Sequence, residues 1–110
     1  MMEIALIENI QREDLNIIEI ARAIKELMEI DGYTQSEVAK ITGKSLPTIS
    51  NIMRLLRLPD KILDYLLNGK LVEGQARALL ALDDEKKQIE IADKIIEKHL
   101  TVREVEKLIY

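Results

Sequence analysis

Apolar residues recur at three- and four-residue intervals along almost the whole chain, and nowhere do β-branched residues alternate with polar ones between turn signals. That period is the helical one, so the sequence predicts an all-α fold. Local end signals divide the pattern into about eight short helices. Met2 to Gln11 carries Ile4, Ile7 and Ile10 at three-residue spacing. Asn16 is the predicted N-cap of a second helix reaching Ile30, with Ile17, Ala21, Ile24, Leu27 and Met28 on one face and Asp31-Gly32 at its end. Thr34 and Glu37 have the spacing of a capping box, in which two side chains satisfy two orphan backbone donors; they open a third helix that stops near Gly43. Ser45 caps a fourth helix, tolerant of Pro47 because the first turn needs no amide donor there, and it runs to about Arg57. Asp60 is the expected cap of a fifth helix through Leu67, which Asn68-Gly69 terminates. Residues 72–82 form a sixth, Asp83 and Asp84 open a seventh reaching His99, and Thr101 with Glu104 opens the last, with Val102, Val105, Leu108 and Ile109 inward. With three Tyr, no Phe and no Trp, the core of these helices is built from Leu, Ile, Val, Met and Ala.

Within that succession, residues 34–57 meet the demands of a helix-turn-helix, two helices crossing steeply over a turn of three or four residues. Ala39 is small where the first helix faces the second. Gly43, four residues on, falls in the turn, where a left-handed backbone suits glycine. Ile49 and Ile52 lie on the inner face of the second helix, and Val38 and Ile41 complete a small core. This leaves Ser45, Leu46, Pro47, Thr48, Ser50, Asn51 and Arg54 toward the outside, with the N-terminal end of the helix aimed at a major groove. Asn51 has the donor and acceptor to pair with an adenine edge, and Arg54 reaches guanine or phosphate. Thr34, Gln35, Lys44 and Arg57 suit phosphate contacts.

The net charge of −4 does not suit a nucleic-acid partner, but its distribution does. Residues 1–33 carry three basic and eight acidic side chains, residues 34–77 seven and four, and residues 78–110 six and eight. Only the middle third is positive, and Ser45 to Arg57 holds no Asp or Glu in a chain that is 33% charged. A local basic face still attracts phosphate, because distant charges are screened beyond about 8–10 Å. The absence of cysteine excludes disulfides and thiolate chemistry, and the single His99 makes no metal site alone. The many carboxylates sit at helical spacing on solvated faces or in caps, and no glycine-rich phosphate loop is present, so intrinsic catalysis is not expected. With no apolar run of membrane-spanning length and no signal-peptide layout, the expectation is a soluble cytoplasmic protein without membrane contact.

Four ordered motifs carry a resemblance covering nearly the whole chain. They are Glu8-Asn9-Ile10-Gln11-Arg12; Gly43-Lys44-Ser45 continuing through Ser50-Asn51, Arg54-Leu55-Leu56 and Leu58-Pro59; Gly69-Lys70-Leu71 with Gly74-Gln75-Ala76-Arg77-Ala78-Leu79-Leu80; and Thr101-Val102-Arg103-Glu104-Val105-Glu106. Together they resemble the central domain of ParB-type chromosome and plasmid partition proteins. The resemblance implies binding of double-stranded DNA at a palindromic centromere-like (parS-type) site, one copy per half-site as a homodimer. It also implies a Walker-type partition ATPase as partner and association with the nucleoid. Arg77 is implied as a phosphate contact, and Gln75 stands in the DNA-facing set where many relatives have histidine. Leu46 stands where many have arginine. Family members use CTP through an N-terminal domain; Glu8, Asn9 and Arg12 match its nucleotide-contacting box, but the arginine-rich phosphate motif expected upstream is missing. No cofactor is therefore expected here, and the chain reads as a fragment or a short relative. The expected organisation is a remnant of the nucleotide domain at 1–15, a helix-turn-helix core at 16–82 and a C-terminal helical subdomain at 83–110. A nucleoid-occlusion factor, a transcriptional repressor on the same fold, and a helical protein-interaction module remain as alternatives.

Overall fold

The computed structural model describes Ile7 and residues 16–110, so the helix expected at Met2 to Gln11 lies outside the described residues, Ile7 aside. Seven helices and no strand are present among the described residues, in two compact units that divide between Leu56 and Arg57.

In the first unit, α1 (Ile17–Ile30) starts where Asn16 accepts a hydrogen bond from the Ile18 amide at 2.9 Å. Its buried surface is wider than a single stripe: Ile18, Ile20 and Ala23 join Ala21, Ile24 and Leu27. That width lets α1 pack against both of the next two helices, α2 (Gln35–Thr42) and α3 (Leu46–Leu55). Ala21, Ile24 and Leu27 from α1, Val38 and Ala39 from α2, and Ile49 and Ile52 from α3 form one core. Each large aliphatic side chain there contributes about 1.5–3 kcal/mol by leaving water. Ile41 is half-buried and outside this core, correcting its expected place. The inward positions of α2 are Val38, Ala39 and Thr42, and at about 100° per residue Ile41 falls outside the arc these three define. Thr42 avoids an unsatisfied hydroxyl by donating to the Val38 carbonyl at 2.7 Å.

The second unit holds α4 (Asp60–Leu67), α5 (Glu73–Leu79), α6 (Glu85–Lys98) and α7 (Val102–Ile109). Asp60 is the first helical residue of α4, not its cap. Pro59 holds the N-cap position with φ −57° and makes no side-chain bond, so Asp60 acts only through its charge near the positive helix end. The far end is a Schellman turn, with Gly69 at φ +74° and the Lys70 amide donating to the Tyr65 carbonyl at 2.8 Å. α5 stops at Leu79 instead of reaching 82: the next three amides bond three residues back, and buried Gln88 donates to the Leu79 and Leu82 carbonyls at 3.1 and 2.9 Å. α6 begins at the Asp84 cap and ends at His99, in the left-handed region at φ 52°. α5 packs against both α6 and α7. Only Val105 of α7 is fully buried, and Leu108, expected inward, is 47% exposed.

At Gly74, α5 lies tight against Val102 of α7. A Cβ there would lie 3.0 and 3.3 Å from the two γ-carbons of Val102. Gly74→Ala should cost about 1–3 kcal/mol by overpacking, and adding Val102→Ala should recover most of it. A double-mutant cycle in urea measures this coupling, and additive losses would show that the two residues do not limit each other.

At the start of α7 the Thr101 amide donates to Glu104 Oε1 at 3.1 Å while the Glu104 amide donates to Thr101 Oγ1 at 3.2 Å. The backbone bond from Thr101, foremost, holds the Glu104 pKa below its ordinary 4.5. A carboxyl whose pKa is lowered by folding stabilises the fold above its unfolded pKa, and that contribution disappears as pH falls through the folded value. Protection of the first-turn amides of α7, taken relative to their intrinsic exchange rate, should therefore fall as pH drops below 4.5, and Glu104→Gln should remove that acid-dependent step.

Candidate nucleic-acid interface

The turn between α2 and α3 is Gly43-Lys44-Ser45. Gly43 adopts φ 73° with nothing within 4 Å of a would-be Cβ, so glycine is needed there for backbone conformation and not for space. The capping box of Thr34 and Glu37 is formed, with the Glu37 amide 3.2 Å from Thr34 Oγ1. Ser45 accepts from the Thr48 amide at 3.2 Å, and the two hydroxyls meet at 2.7 Å. These bonds fix the entry into α3.

Ile49, Ile52 and Leu55 turn inward, which fixes the opposite face of α3 outward. Ser45, Leu46, Pro47, Thr48 and Arg54 are exposed, and Ser50 and Asn51 are half-buried. Ser50 donates to Gln35 Oε1 at 2.7 Å, a bond fifteen residues apart in sequence that ties α3 to the start of α2. These two expected DNA-facing residues are thus engaged with each other. The Asn51 amide and the cationic groups of Lys44 and Arg54 make no side-chain hydrogen bond or ion pair to any described residue. The result is an outward face with no acid, two such cations at its ends and the Asn51 amide between them. Such a face offers donors and charge to an anionic, groove-shaped partner.

Three other expected site residues lie in the second unit. Arg57 is exposed and falls beyond α3, which ends two residues before it. Arg77, on α5, pairs with Glu73 one turn back. Gln75 uses its amide at both ends, accepting from the Val72 amide at 2.9 Å and donating to the Leu100 carbonyl at 2.7 Å. It ties α5 to the segment before α7. Glu8, Asn9 and Arg12 lie outside the described residues.

A polar group unforeseen from sequence joins α4 to α6. Tyr65 donates its hydroxyl to Asp93 at 2.5 Å, Lys61 sits 3.5 Å from the same carboxylate, and the Lys61 and Lys70 ammonium groups lie 5.9 and 5.8 Å from the Tyr65 ring centre. The Asp93 hydrogen bond raises the Tyr65 pKa, and the Tyr65 hydroxyl followed by the Asp93 charge raises that of Lys61. The partners are 28 residues apart, so no local signal reveals them. Among the described residues no group of three or more His, Cys, Asp or Glu could hold a metal ion, and no helix is long and apolar enough to cross a membrane.

Two helices crossing over a three-residue turn, the second presenting an acid-free polar face, define a helix-turn-helix domain. The chain belongs to the ParB HTH domain family, whose profile matches residues 13–110. It is 50% identical over 108 residues to the probable chromosome-partitioning protein ParB of Helicobacter pylori, a match covering 98% of this chain and 37% of that protein. The chain therefore spans little more than a third of the length of that relative. Among solved structures, the DNA-binding domain of the chromosome-partitioning protein ParB complexed to the centromeric parS site is similar with a TM-score of 0.83 at 47% identity, over 97% of this chain and 86% of that one. The C-terminally truncated ParB of Caulobacter crescentus complexed with CTP-γ-S is similar with a TM-score of 0.61 at 46% identity, over 86% of this chain and 51% of that one.

Proposed function

We propose that this chain binds double-stranded DNA sequence-specifically at a palindromic, centromere-like site of the parS type, one copy on each half-site, in chromosome or plasmid partition. The observation that carries the reading is the outward face of α3: acid-free, held from behind by Ile49 and Ile52, and bearing Asn51 and Arg54 without side-chain partners among the described residues. Kinship with a ParB DNA-binding domain complexed to parS supports the choice of partner and site.

On this reading Ser45, Leu46, Pro47, Thr48, Asn51 and Arg54 face base edges, with Leu46 suited to a thymine methyl group because it has no polar atom to offer. Thr34, Lys44, Arg57 and Arg77 serve the phosphates, Arg77 by exchanging Glu73 for the backbone. Gln35 and Ser50 position α3 on α2. Gln75 is a packing residue of the second unit, its amide already committed at both ends. The same reading places this chain in a system with a Walker-type partition ATPase and on the nucleoid, with use of CTP lying outside the helix-turn-helix.

Titration of the chain with a parS-type palindrome and with a scrambled duplex tests the reading. The palindrome should bind at least about 10³-fold more tightly at physiological salt. The logarithm of affinity should fall against log salt with a slope of about −0.9 per phosphate neutralised. Equal or salt-independent binding of the two duplexes would overturn the proposal. Selection of an unrelated palindrome from random duplexes would reassign the chain to nucleoid occlusion or repression.

A further inference from the structure

We infer that the groove between α6 and α7, in the second unit, is a docking surface for an acidic amphipathic helix of a partner protein. The groove is shallow and open to solvent, with a volume of about 510 Å3, and is lined by Lys94, Lys98, Leu100, Glu104, Lys107 and Leu108. Its apolar floor comes from Leu100 and from Leu108, the latter 47% exposed on a helix whose other exposed residues, Arg103, Glu104, Glu106 and Lys107, are all charged. Lys94 and Lys98 stand one turn apart on α6, and Lys107 comes from α7 on the opposite wall. None of the three lysines is in an ion pair among the described residues. Against these three lysines the lining holds a single carboxylate, Glu104, which feels the Lys107 charge and accepts from the Thr101 amide at 3.1 Å, so the groove keeps an excess of positive charge.

Charge complementarity selects the occupant. Lysines four residues apart on one helix match carboxylates one turn apart on another, and the leucines between the two walls match an apolar stripe at i, i+3 and i+4. A DNA backbone would satisfy the lysines but leave both leucines without a counterpart. An amphipathic helix with acidic flanks satisfies both parts of the lining. The apolar stripe supplies area removed from water, and the carboxylates supply orientation and rate of encounter.

The test is a 15N-amide titration of the whole chain with a synthetic helical peptide of about 15 residues, leucines at i, i+3, i+4 and i+7 and glutamates on the flanks. Shifts should concentrate at Lys94, Lys98, Lys107 and Leu108. Lys98→Glu with Lys107→Glu should weaken the peptide at least about tenfold, and Leu108→Gln should weaken it separately, while affinity for the parS-type duplex stays unchanged. Lys98→Gln with Lys107→Gln serves if the charge reversals disturb the melting curve. Shifts elsewhere, no binding, or binding indifferent to the lysines would overturn the inference. So would weaker DNA affinity in the lysine variants, which would make the groove a phosphate-binding surface. Self-association of the chain that protects the same amides would overturn it too, by making the occupant a second copy.

Discussion

Asn51→Ala combined with Arg54→Ala should abolish preference for the parS-type palindrome while leaving the fold intact. Each side chain, if it reads a base bidentately, is worth about 1–3 kcal/mol of discrimination, so the pair should lose at least about 30-fold in the affinity ratio of palindrome to scrambled duplex. Stability should hardly move, because Arg54 is exposed, Asn51 is half-buried, and neither makes a side-chain bond to a described residue that the substitution would break. Lys44→Ala is the control. Removing a phosphate-binding charge from the turn should weaken all duplexes alike and reduce the salt slope by about 1. Anisotropy titrations at several salt concentrations separate the two behaviours. If the double variant weakens both duplexes equally, Asn51 and Arg54 touch only the backbone, and sequence is read by Ser45 to Thr48 or through DNA shape.

What was legible in the sequence was what is decided locally. Thr34 with Glu37, Thr101 with Glu104, the Asn16 and Ser45 caps and the left-handed Gly43 all form as their spacing requires, because each involves residues within one helical turn. Asp60 misled for an equally local reason: the preceding Pro59 already supplies the extended entry that a cap needs, so the carboxylate moves one step into the helix. Distance in sequence defeated the rest. The truncation of α5 depends on Gln88 reaching the Leu79 and Leu82 carbonyls, and the bond from Gln75 to the Leu100 carbonyl, 25 residues along the chain, has no local signal either. Leu108 has the spacing of an inward residue, yet α7 presents a narrower face to α5 than its pattern suggests. For the site, the outward residues of α3 followed from placing Ile49 and Ile52 inward. The bond between Ser50 and Gln35 did not, since a helical period says which face a side chain occupies but not which neighbour it finds there.

Ile49→Ala should destabilise the first unit by about 2–5 kcal/mol, the cost of a cavity left by a buried aliphatic side chain. Ile49 is fully buried in the core of α1, α2 and α3, where Ile24, Leu27 and Val38 are equally inaccessible. The loss is a large share of the stability of a small domain. Its consequence for DNA differs in kind from that of the α3 surface. The outward side chains are untouched, so molecules that remain folded should bind the palindrome as the parent does, and apparent affinity should fall only by the fraction unfolded. Conversely, duplex at a hundred times its Kd should return about 2.7 kcal/mol, raising the urea midpoint of Ile49→Ala about as much as that of the parent. Urea unfolding with and without the palindrome, followed through α3 amides, measures both. If saturating duplex fails to restore Ile49→Ala while stabilising the parent, then Ile49 holds the geometry of the reading face itself, and the core beneath α3 determines recognition as well as stability.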